Sequence, residues 1–148
     1  LKEHIESLNP KFKIEVQGLQ WPTYLDAYRS GQLPAFFIGW QADYPDPHNF
    51  IFTYFHSNGV YGTTQGQAFI DFARENLDSL IEEALAEVDS AERQKIYEEI
   101  QTIAYENALG ITLYQPEEIY PMRDWVKGWT FNPMRPGQVD WEGVYKEE

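Results

Sequence analysis

The side chains best suited to chemistry lie together in residues 40–47, which read Trp-Gln-Ala-Asp-Tyr-Pro-Asp-Pro. Asp43 and Asp46 are three residues apart, and Trp40 and Tyr44 accompany them. Two carboxylates can act as general acid and base, as in glycoside hydrolysis. One fixed carboxylate can instead accept a charge-assisted hydrogen bond from a ligand ammonium. Aspartates beside prolines also form turns, so the pattern is compatible with catalysis, binding or a structural turn.

The position of this loop favours binding. It follows an apolar run, residues 35–39, which predicts a strand buried on both faces. Pro45 and Pro47 fix φ and push the residues before them towards extended geometry, so the loop should be stiff. Ligand sites in open α/β sheets lie beyond the carboxyl ends of strands. We therefore interpret residues 40–47 as part of a binding site.

Other kinds of site find little support in the sequence. The chain contains no Cys, which excludes disulfides, thiolate metal sites and Cys nucleophiles. His48 and His56 are eight residues apart, unlike the short spacing of a typical zinc site, and we expect both at the surface. Ser57 lacks the setting of a nucleophile elbow, and no Gly-rich phosphate loop is present. We predict no catalytic residue, no metal and no cofactor.

Charge and composition narrow the class of protein. The 148 residues carry a formal charge of −13, which argues against nucleic acid as a partner, because Lys and Arg supply phosphate binding. Aromatic residues make up 16% of the chain, and we expect some to line a concave surface. No apolar run approaches the roughly 20 residues of a membrane span. The chain starts at Leu1 without a signal peptide, and we expect it to be a piece of a longer protein.

The first forty residues alternate between helical and strand patterns. Residues 1–8 indicate the end of a helix, and residues 11–16 place alternate apolar side chains on one face. A second helix is predicted over residues 22–31, with Pro near its start and Gly as its cap. The strand at residues 35–39 follows. This order predicts an α/β fold with parallel strand pairing.

The middle of the chain is predicted to be helical. Residues 49–55 favour a short aromatic helix, and residues 57–66 favour a loop. Two longer helices follow, the second capped by Asp89 or Ser90 and ended by Gly110. We assign their apolar stripes to the core: Leu77, Leu80, Ile81, Ala84, Leu85 and Val88 in the first, and Ile96, Tyr97, Ile100, Ile103 and Ala104 in the second.

The last part of the chain differs from the rest in composition. Residues 111–114 are predicted to form a strand. From Glu117 onward the sequence is rich in Pro, Gly and Trp, including Pro133 and Pro136, with short strand-like pieces such as residues 126–131. We expect this tail to pack on another part of the protein and not to form a core of its own.

A series of motifs spans nearly the whole chain. The motifs are Trp21-x-x-Tyr24, Trp40-x-Ala42-Asp43-Tyr44-x-Asp46-Pro47, Leu77-x-x-Leu80-Ile81-x-x-Ala84, Arg93-x-x-Ile96-Tyr97, Gln101-x-Ile103, Ile111-x-Leu113-Tyr114 and Val126-Lys127-Gly128-Trp129. Their order and spacing resemble the family 5 extracellular solute-binding proteins, the peptide- and nickel-binding components of ABC importers.

This resemblance implies a periplasmic-binding-protein-like fold of type II. Members are about 500 residues long and bind solute between two lobes that close about a hinge. By this resemblance, residues 1–118 are the C-terminal part of the second lobe, and residues 119–148 cross the hinge back to a first lobe absent from this chain. The resemblance also implies a periplasmic or cell-surface location and permease subunits as partners, and it leaves lipid anchoring open.

The resemblance also implies roles for individual residues. In peptide-binding members the Asp of the W-x-x-D motif receives the free α-amino group of the peptide, and Asp43 occupies that position. Trp40, Tyr44, Trp21 and Tyr114 would shape the pocket. Some relatives place an Arg three residues before the motif Trp to bind the peptide carboxylate, where this chain has Phe37. The implied ligand is an oligopeptide, and an oligosaccharide or another solute stays open.

Two other classes of protein stay open from the residues alone. A carboxylate-dependent hydrolase would use Asp43 and Asp46, and its turnover would vanish with Asp43→Asn. An interaction domain would present its exposed aromatic side chains to a partner chain and would bind no small ligand. Our prediction is a binding protein without enzymatic activity.

Overall fold

The computed structural model describes residues 1–132 and 139–147. Pro133 and Pro136, part of the predicted tail, lie outside the described residues. The chain divides into two compact units, Leu1–Phe36 and Phe37–Glu148.

The first unit contains two helices, α1 (Lys2–Leu8) and α2 (Trp21–Arg29). Pro22 lies in the first turn of α2, where its missing N–H costs no hydrogen bond. Gly31 follows the helix with φ +67°, a left-handed conformation that suits glycine. Both predicted helices are thus confirmed. In this unit Tyr28 is buried and packs edge-on against Phe36, with ring centroids 4.9 Å apart.

The strand predicted at residues 11–16 is not formed, and this prediction was wrong. The Ile14 N–H donates to the Glu6 carboxylate (2.8 Å), and the Lys2 ammonium donates to the Ile14 carbonyl. Side chains of α1 therefore take the place of a neighbouring strand. Phe12 and Val16, from the predicted apolar face, are 46% and 74% exposed. Alternation predicts a strand only where a second strand lies alongside to complete the ladder.

The second unit is mainly helical in its described residues. It contains α3 (Pro47–Phe55), a 3-10 turn (Gly62–Thr64), α4 (Gln67–Asn76), α5 (Asp78–Ala86) and α6 (Ser90–Glu106). A second 3-10 turn (Trp141–Gly143) comes before the last strand. Among the described residues, no helix has both the length and the apolar character needed to cross a membrane.

The core of this unit lies between α4, α5 and α6, with α3 packed against it. Leu77, Ile81 and Ile100 are its largest fully buried side chains, so the two stripes predicted from helical spacing do supply the core. Its buried members are Phe69, Ala73, Leu77, Ile81, Ala84, Tyr97 and Ile100, and the partly buried side chains Ile51, Phe52, Phe55, Phe72, Leu80, Ile96, Ile103 and Leu109 pack against them.

Helix boundaries differ from the prediction at two places. Helix α5 ends at Ala86, so Val88 is 95% exposed and does not join the stripe. Leu85 is 58% exposed, so its assignment to the core was also wrong. Helix α6 begins after Asp89, as predicted, because the Asp89 side chain accepts from the N–H groups of Ala91 and Glu92. It ends at Glu106, before Gly110, and Ala108 takes the left-handed conformation with φ 51°. Helix α4 was not predicted as a separate helix.

The strands predicted at residues 35–39 and 111–114 are also absent. In these segments Phe37 is 66% exposed and Tyr114 is 80% exposed, so the first is not buried on both faces. Within the described residues the sheet is a single antiparallel pair, β1 (Val126–Lys127) and β2 (Tyr145–Lys146). The described residues thus show no parallel pairing, and the expected α/β arrangement appears in its helices only.

The antiparallel pair is the formed part of the strand-like piece predicted at residues 126–131. Val126 pairs with Lys146, and Lys127 pairs with Tyr145. Gly128 follows with φ +74°, and a Cβ there would lie 2.0 Å from the Gly143 carbonyl oxygen. Glycine is therefore required where the two segments meet. The predicted boundary between residues 118 and 119 stays a prediction.

Candidate binding site

The loop before α3 is organised by one buried side chain, Asn49. Its Oδ1 accepts a hydrogen bond from the Trp40 indole Nε1 (2.6 Å) and another from the Asp43 backbone N (3.2 Å). Its Nδ2 lies 3.5 Å from Asp43 Oδ2. Asn49 is in the first turn of α3 and only 7% exposed. A single amide therefore links Trp40 and Asp43, two of the predicted site residues.

Asp43 carries an exposed carboxylate at this loop. Its backbone N–H is used by Asn49, and its carboxylate has the long Asn49 contact. Tyr44 is 38% exposed, and its hydroxyl lies 3.0 Å from His48 Nδ1. Burial lowers the pKa of His48, so the neutral imidazole is favoured beside Tyr44. An exposed carboxylate next to a half-exposed phenol ring can receive a cationic group.

Asp46 has a different role from Asp43. Its Oδ1 accepts from the His48 backbone N (2.8 Å) and caps α3. Arg93 donates two parallel hydrogen bonds to the same carboxylate, at 2.9 Å and 2.8 Å. These bonds lower the pKa of Asp46. Because its oxygens are bound within the protein and its ionised form is favoured, Asp46 is a poor acid or base, and the paired-carboxylate hydrolase loses support.

Arg93 ties the start of α3 to the core helices. Its Nε donates to the Ala84 carbonyl in α5 (2.7 Å), and one terminal nitrogen donates to the Tyr97 hydroxyl (3.0 Å). Its guanidinium also lies 5.1 Å from the centroid of the Tyr97 ring. The hydrogen bonds to Asp46 raise the pKa of Arg93, and burial raises that of Tyr97. The loop that carries Asp43 is thus attached to a fixed helix.

Trp40 is wedged between this loop and the turn that follows α3. Its ring packs edge-on against Tyr61, with centroids 5.7 Å apart. The buried Tyr61 hydroxyl donates to the Gly39 carbonyl (2.8 Å). Trp40 therefore has a defined orientation and forms one side of the loop.

The other two predicted pocket residues take no part in the contacts described above. Trp21 belongs to the first unit, where it stacks on Tyr24 with centroids 5.6 Å apart and is 62% exposed. Tyr114 is 80% exposed in the extended segment after α6. The Gln41 side chain donates to Glu118 (3.2 Å), which links the loop to that segment. Roles for Trp21 and Tyr114 in the pocket stay predictions.

His56 is buried, so its prediction as a surface histidine was wrong. Its Nδ1 accepts from the Asn58 backbone N (3.0 Å), and its ring stacks on Phe52 at 4.4 Å. The neighbouring Ser57 donates its N–H and its hydroxyl to Asp78, at 2.9 Å and 2.6 Å. Both side chains fix the turn after α3. Among the described residues, no group of three His, Asp or Glu side chains is arranged to hold a metal ion.

Sequence reasoning missed three residues that build the site: Asn49, Arg93 and Tyr61. Asp46 followed by Pro47 does carry a recognisable signal, since Asp before Pro at a helix start predicts an N-cap. The partner of Asp46 is 47 residues away in the sequence, and no local pattern indicates it.

Comparison with known proteins supports a binding protein. The chain is 27% identical over 132 residues to probable di/tripeptide-binding protein 5 of Pseudomonas aeruginosa, an alignment that covers 89% of this chain and 24% of that protein. It is 27% identical over 114 residues to heme-binding protein A of Haemophilus influenzae, covering 77% and 20%. It is 25% identical over 117 residues to the periplasmic oligopeptide-binding protein OppA of Escherichia coli, covering 79% and 20%.

Further relatives are named for dipeptides, di/tripeptides or oligopeptides, and these relatives are named as binding proteins and not as enzymes. The resemblance to the family 5 solute-binding proteins is thereby confirmed. The chain spans about a quarter of the length of the first of these relatives. No family model matches the chain, and no solved structure gives a significant match.

Proposed function

We propose that this chain is part of an extracytoplasmic solute-binding protein that captures short peptides for an ABC importer. Residues 1–118 would form the C-terminal part of a periplasmic-binding-protein-like second lobe of type II. Residues 119–148 would cross the hinge towards a first lobe outside this chain. The similarity to named peptide-binding proteins supports this proposal.

The observation that carries the peptide assignment is the contrast between two aspartates in one loop. Asp46 is bound by Arg93 and the α3 backbone, whereas the Asp43 carboxylate is exposed and its loop is held in place by Asn49. Every unmodified peptide has an α-ammonium group, so a fixed carboxylate recognises peptides whatever their side chains. A charge-assisted hydrogen bond of this kind contributes roughly 1.5–3 kcal/mol.

Aromatic side chains would supply the rest of the pocket. Trp40 and Tyr44 flank Asp43 along the chain, and we assign Trp21 and Tyr114 to the same pocket on the strength of the resemblance. Ligand pockets are mostly apolar, with a few polar groups that set orientation. Aromatic walls offer contact area without a fixed hydrogen-bond pattern, which suits a site for peptides of varied sequence.

Transport would follow from closure of the two lobes. A ligand that contacts both lobes binds the closed form more tightly than the open form, and this difference in affinity shifts the population towards closure. The permease would then recognise the closed form. Asp43 supplies the contact from the second lobe in this scheme.

The test compares trialanine with N-acetyl-trialanine, titrated calorimetrically into the full-length protein. The wild type should bind the free-amine peptide more tightly, and Asp43→Asn should weaken it by roughly 10- to 150-fold, the equivalent of 1.5–3 kcal/mol. Asp124→Asn removes the same charge from another exposed aspartate and should leave the affinity unchanged. Equal affinities for both peptides in the wild type would overturn the proposal.

A second candidate ligand is an oligosaccharide. Tyr44 and Trp21 are 38% and 62% exposed, and exposed flat rings stack on sugars. An oligosaccharide binder would be insensitive to Asp43→Asn and would lose affinity with Trp40→Ala or Trp21→Ala. The same calorimetric titration, made with a maltooligosaccharide and these variants, separates the two ligand classes.

A further inference from the structure

We propose that Asn49 is the positioning residue that sets Asp43 for the ligand amine, an inference that rests on the proposed function. Asn49 offers a ligand little surface, since it is only 7% exposed. Its role is to act through Asp43 and Trp40. No relative's name and no motif in the sequence assigns it a task.

The hydrogen bonds of Asn49 support this role. An amide oxygen has two lone pairs, and Asn49 Oδ1 fills both, with Trp40 Nε1 at 2.6 Å and Asp43 N at 3.2 Å. The two donors come from opposite ends of a four-residue stretch, so one acceptor fixes the shape of residues 40–43. A side chain without an acceptor would leave both donors unsatisfied in a partly buried place.

The first turn of α3, which carries Asn49, is held in place by hydrogen bonds. The Asn49 backbone N–H donates to the Asp46 carbonyl (3.1 Å). Helix α3 is capped by Asp46, which Arg93 ties to α5 and α6. The hydrogen bonds of Asn49 therefore fix the position of the loop relative to α3. The energy of an amine contact depends on such placement, because a loosely held group must lose conformational freedom on binding, which weakens the affinity.

The variants separate positioning from helix stability. Asn49→Leu keeps the branched shape of the side chain and removes the acceptor. Thr53→Val is the matched control, since Thr53 is also buried in α3 (4% exposed) and loses only its bond to the Asn49 carbonyl. Asn49→Ala replaces Asn49→Leu if the larger side chain prevents folding.

Two readouts are needed, both in the full-length protein. The first is the ratio of the Kd values for N-acetyl-trialanine and trialanine. The second is the indole ¹H–¹⁵N resonance of Trp40, assigned with Trp40→Phe. Asn49→Leu should shrink the ratio about tenfold through trialanine alone and should shift the indole resonance. Thr53→Val should change neither.

Two results would overturn the inference. Asn49→Leu could keep the full free-amine preference, or Thr53→Val could lose it equally. These outcomes leave the proposed function intact as long as the wild type prefers trialanine. A wild type without that preference removes the proposed function, and with it the positioning role.

Discussion

The contact between Asp46 and Arg93 should stabilise the folded protein. The change that isolates it is Asp46→Asn. Asn is as good an N-cap as Asp, so its side-chain oxygen can still accept from His48 N, the bond now 2.8 Å long. What is lost is the charge and the paired bonds from Arg93, at 2.9 Å and 2.8 Å.

The size of this effect follows from the exposure of the pair. Hydrogen bonds to charged groups contribute about 1.5–3 kcal/mol when well shielded, and exposed ion pairs contribute about 0.2–1 kcal/mol. The Arg93 and Asp46 side chains are 23% and 31% exposed, which lies between these cases. We expect Asp46→Asn to lower the free energy of unfolding by about 1.5 kcal/mol. Asp46→Ala also removes the cap and should cost about 1 kcal/mol more.

The pH dependence of the free energy of unfolding provides a second, independent test of this contact. The pKa of Asp46 is lowered in the folded protein from its ordinary value of 3.8. A carboxylate with a lowered folded pKa contributes stability above its unfolded pKa and loses it as the pH falls through the folded value. The difference in stability between wild type and Asp46→Asn should therefore be constant above about pH 5 and shrink below pH 3.8.

The assay is urea denaturation of the full-length protein, followed by tryptophan fluorescence at a series of pH values. Arg93→Gln and the double variant complete a double-mutant cycle, whose coupling energy should be about 1 kcal/mol or more. A stability for Asp46→Asn within about 0.3 kcal/mol of wild type, or a difference that does not change with pH, would refute the reasoning.

Two further predictions concern packing. Gly62→Ala should destabilise the protein by at least about 2 kcal/mol, because the new Cβ would lie 2.0 Å from the His56 carbonyl oxygen. The control is Gly110→Ala, whose Cβ would meet nothing within 4 Å. Equal urea midpoints for the two variants would contradict the close approach. Ile100→Ala should lower the free energy of unfolding by about 2–5 kcal/mol, because Ile100 is fully buried between the helices. A decrease below about 1 kcal/mol in the same denaturation assay would mean that the core is loosely packed.

The helices could be predicted from the sequence because their signals are local. Asp89 caps α6 through bonds two and three residues away, and the spacing of Leu77 and Ile81 places both on one face. The strand predictions failed because the hydrogen-bond ladder of a strand needs a second chain segment alongside it. The apolar alternation at residues 11–16 is real, but among the described residues the Ile14 backbone bonds to α1 side chains.

The loop of the candidate site could be predicted from the sequence, but the residues that hold this loop in place could not. The run of residues 40–47 could be selected because carboxylates, aromatic rings and prolines concentrate there. Which aspartate is exposed could not be known, since that depends on Arg93, which is distant in the sequence. Asn49 could not be found either, because a buried amide in the first turn of a helix looks the same in sequence as an exposed one.

The most direct test of the amine contact at Asp43 is a crystal structure of the full-length protein with trialanine bound. The account predicts the peptide ammonium nitrogen at roughly 2.7–2.9 Å from an Asp43 carboxylate oxygen, with Asn49 still bonded to Trp40. A peptide whose ammonium lies away from Asp43, paired with another carboxylate or with solvent, would contradict it.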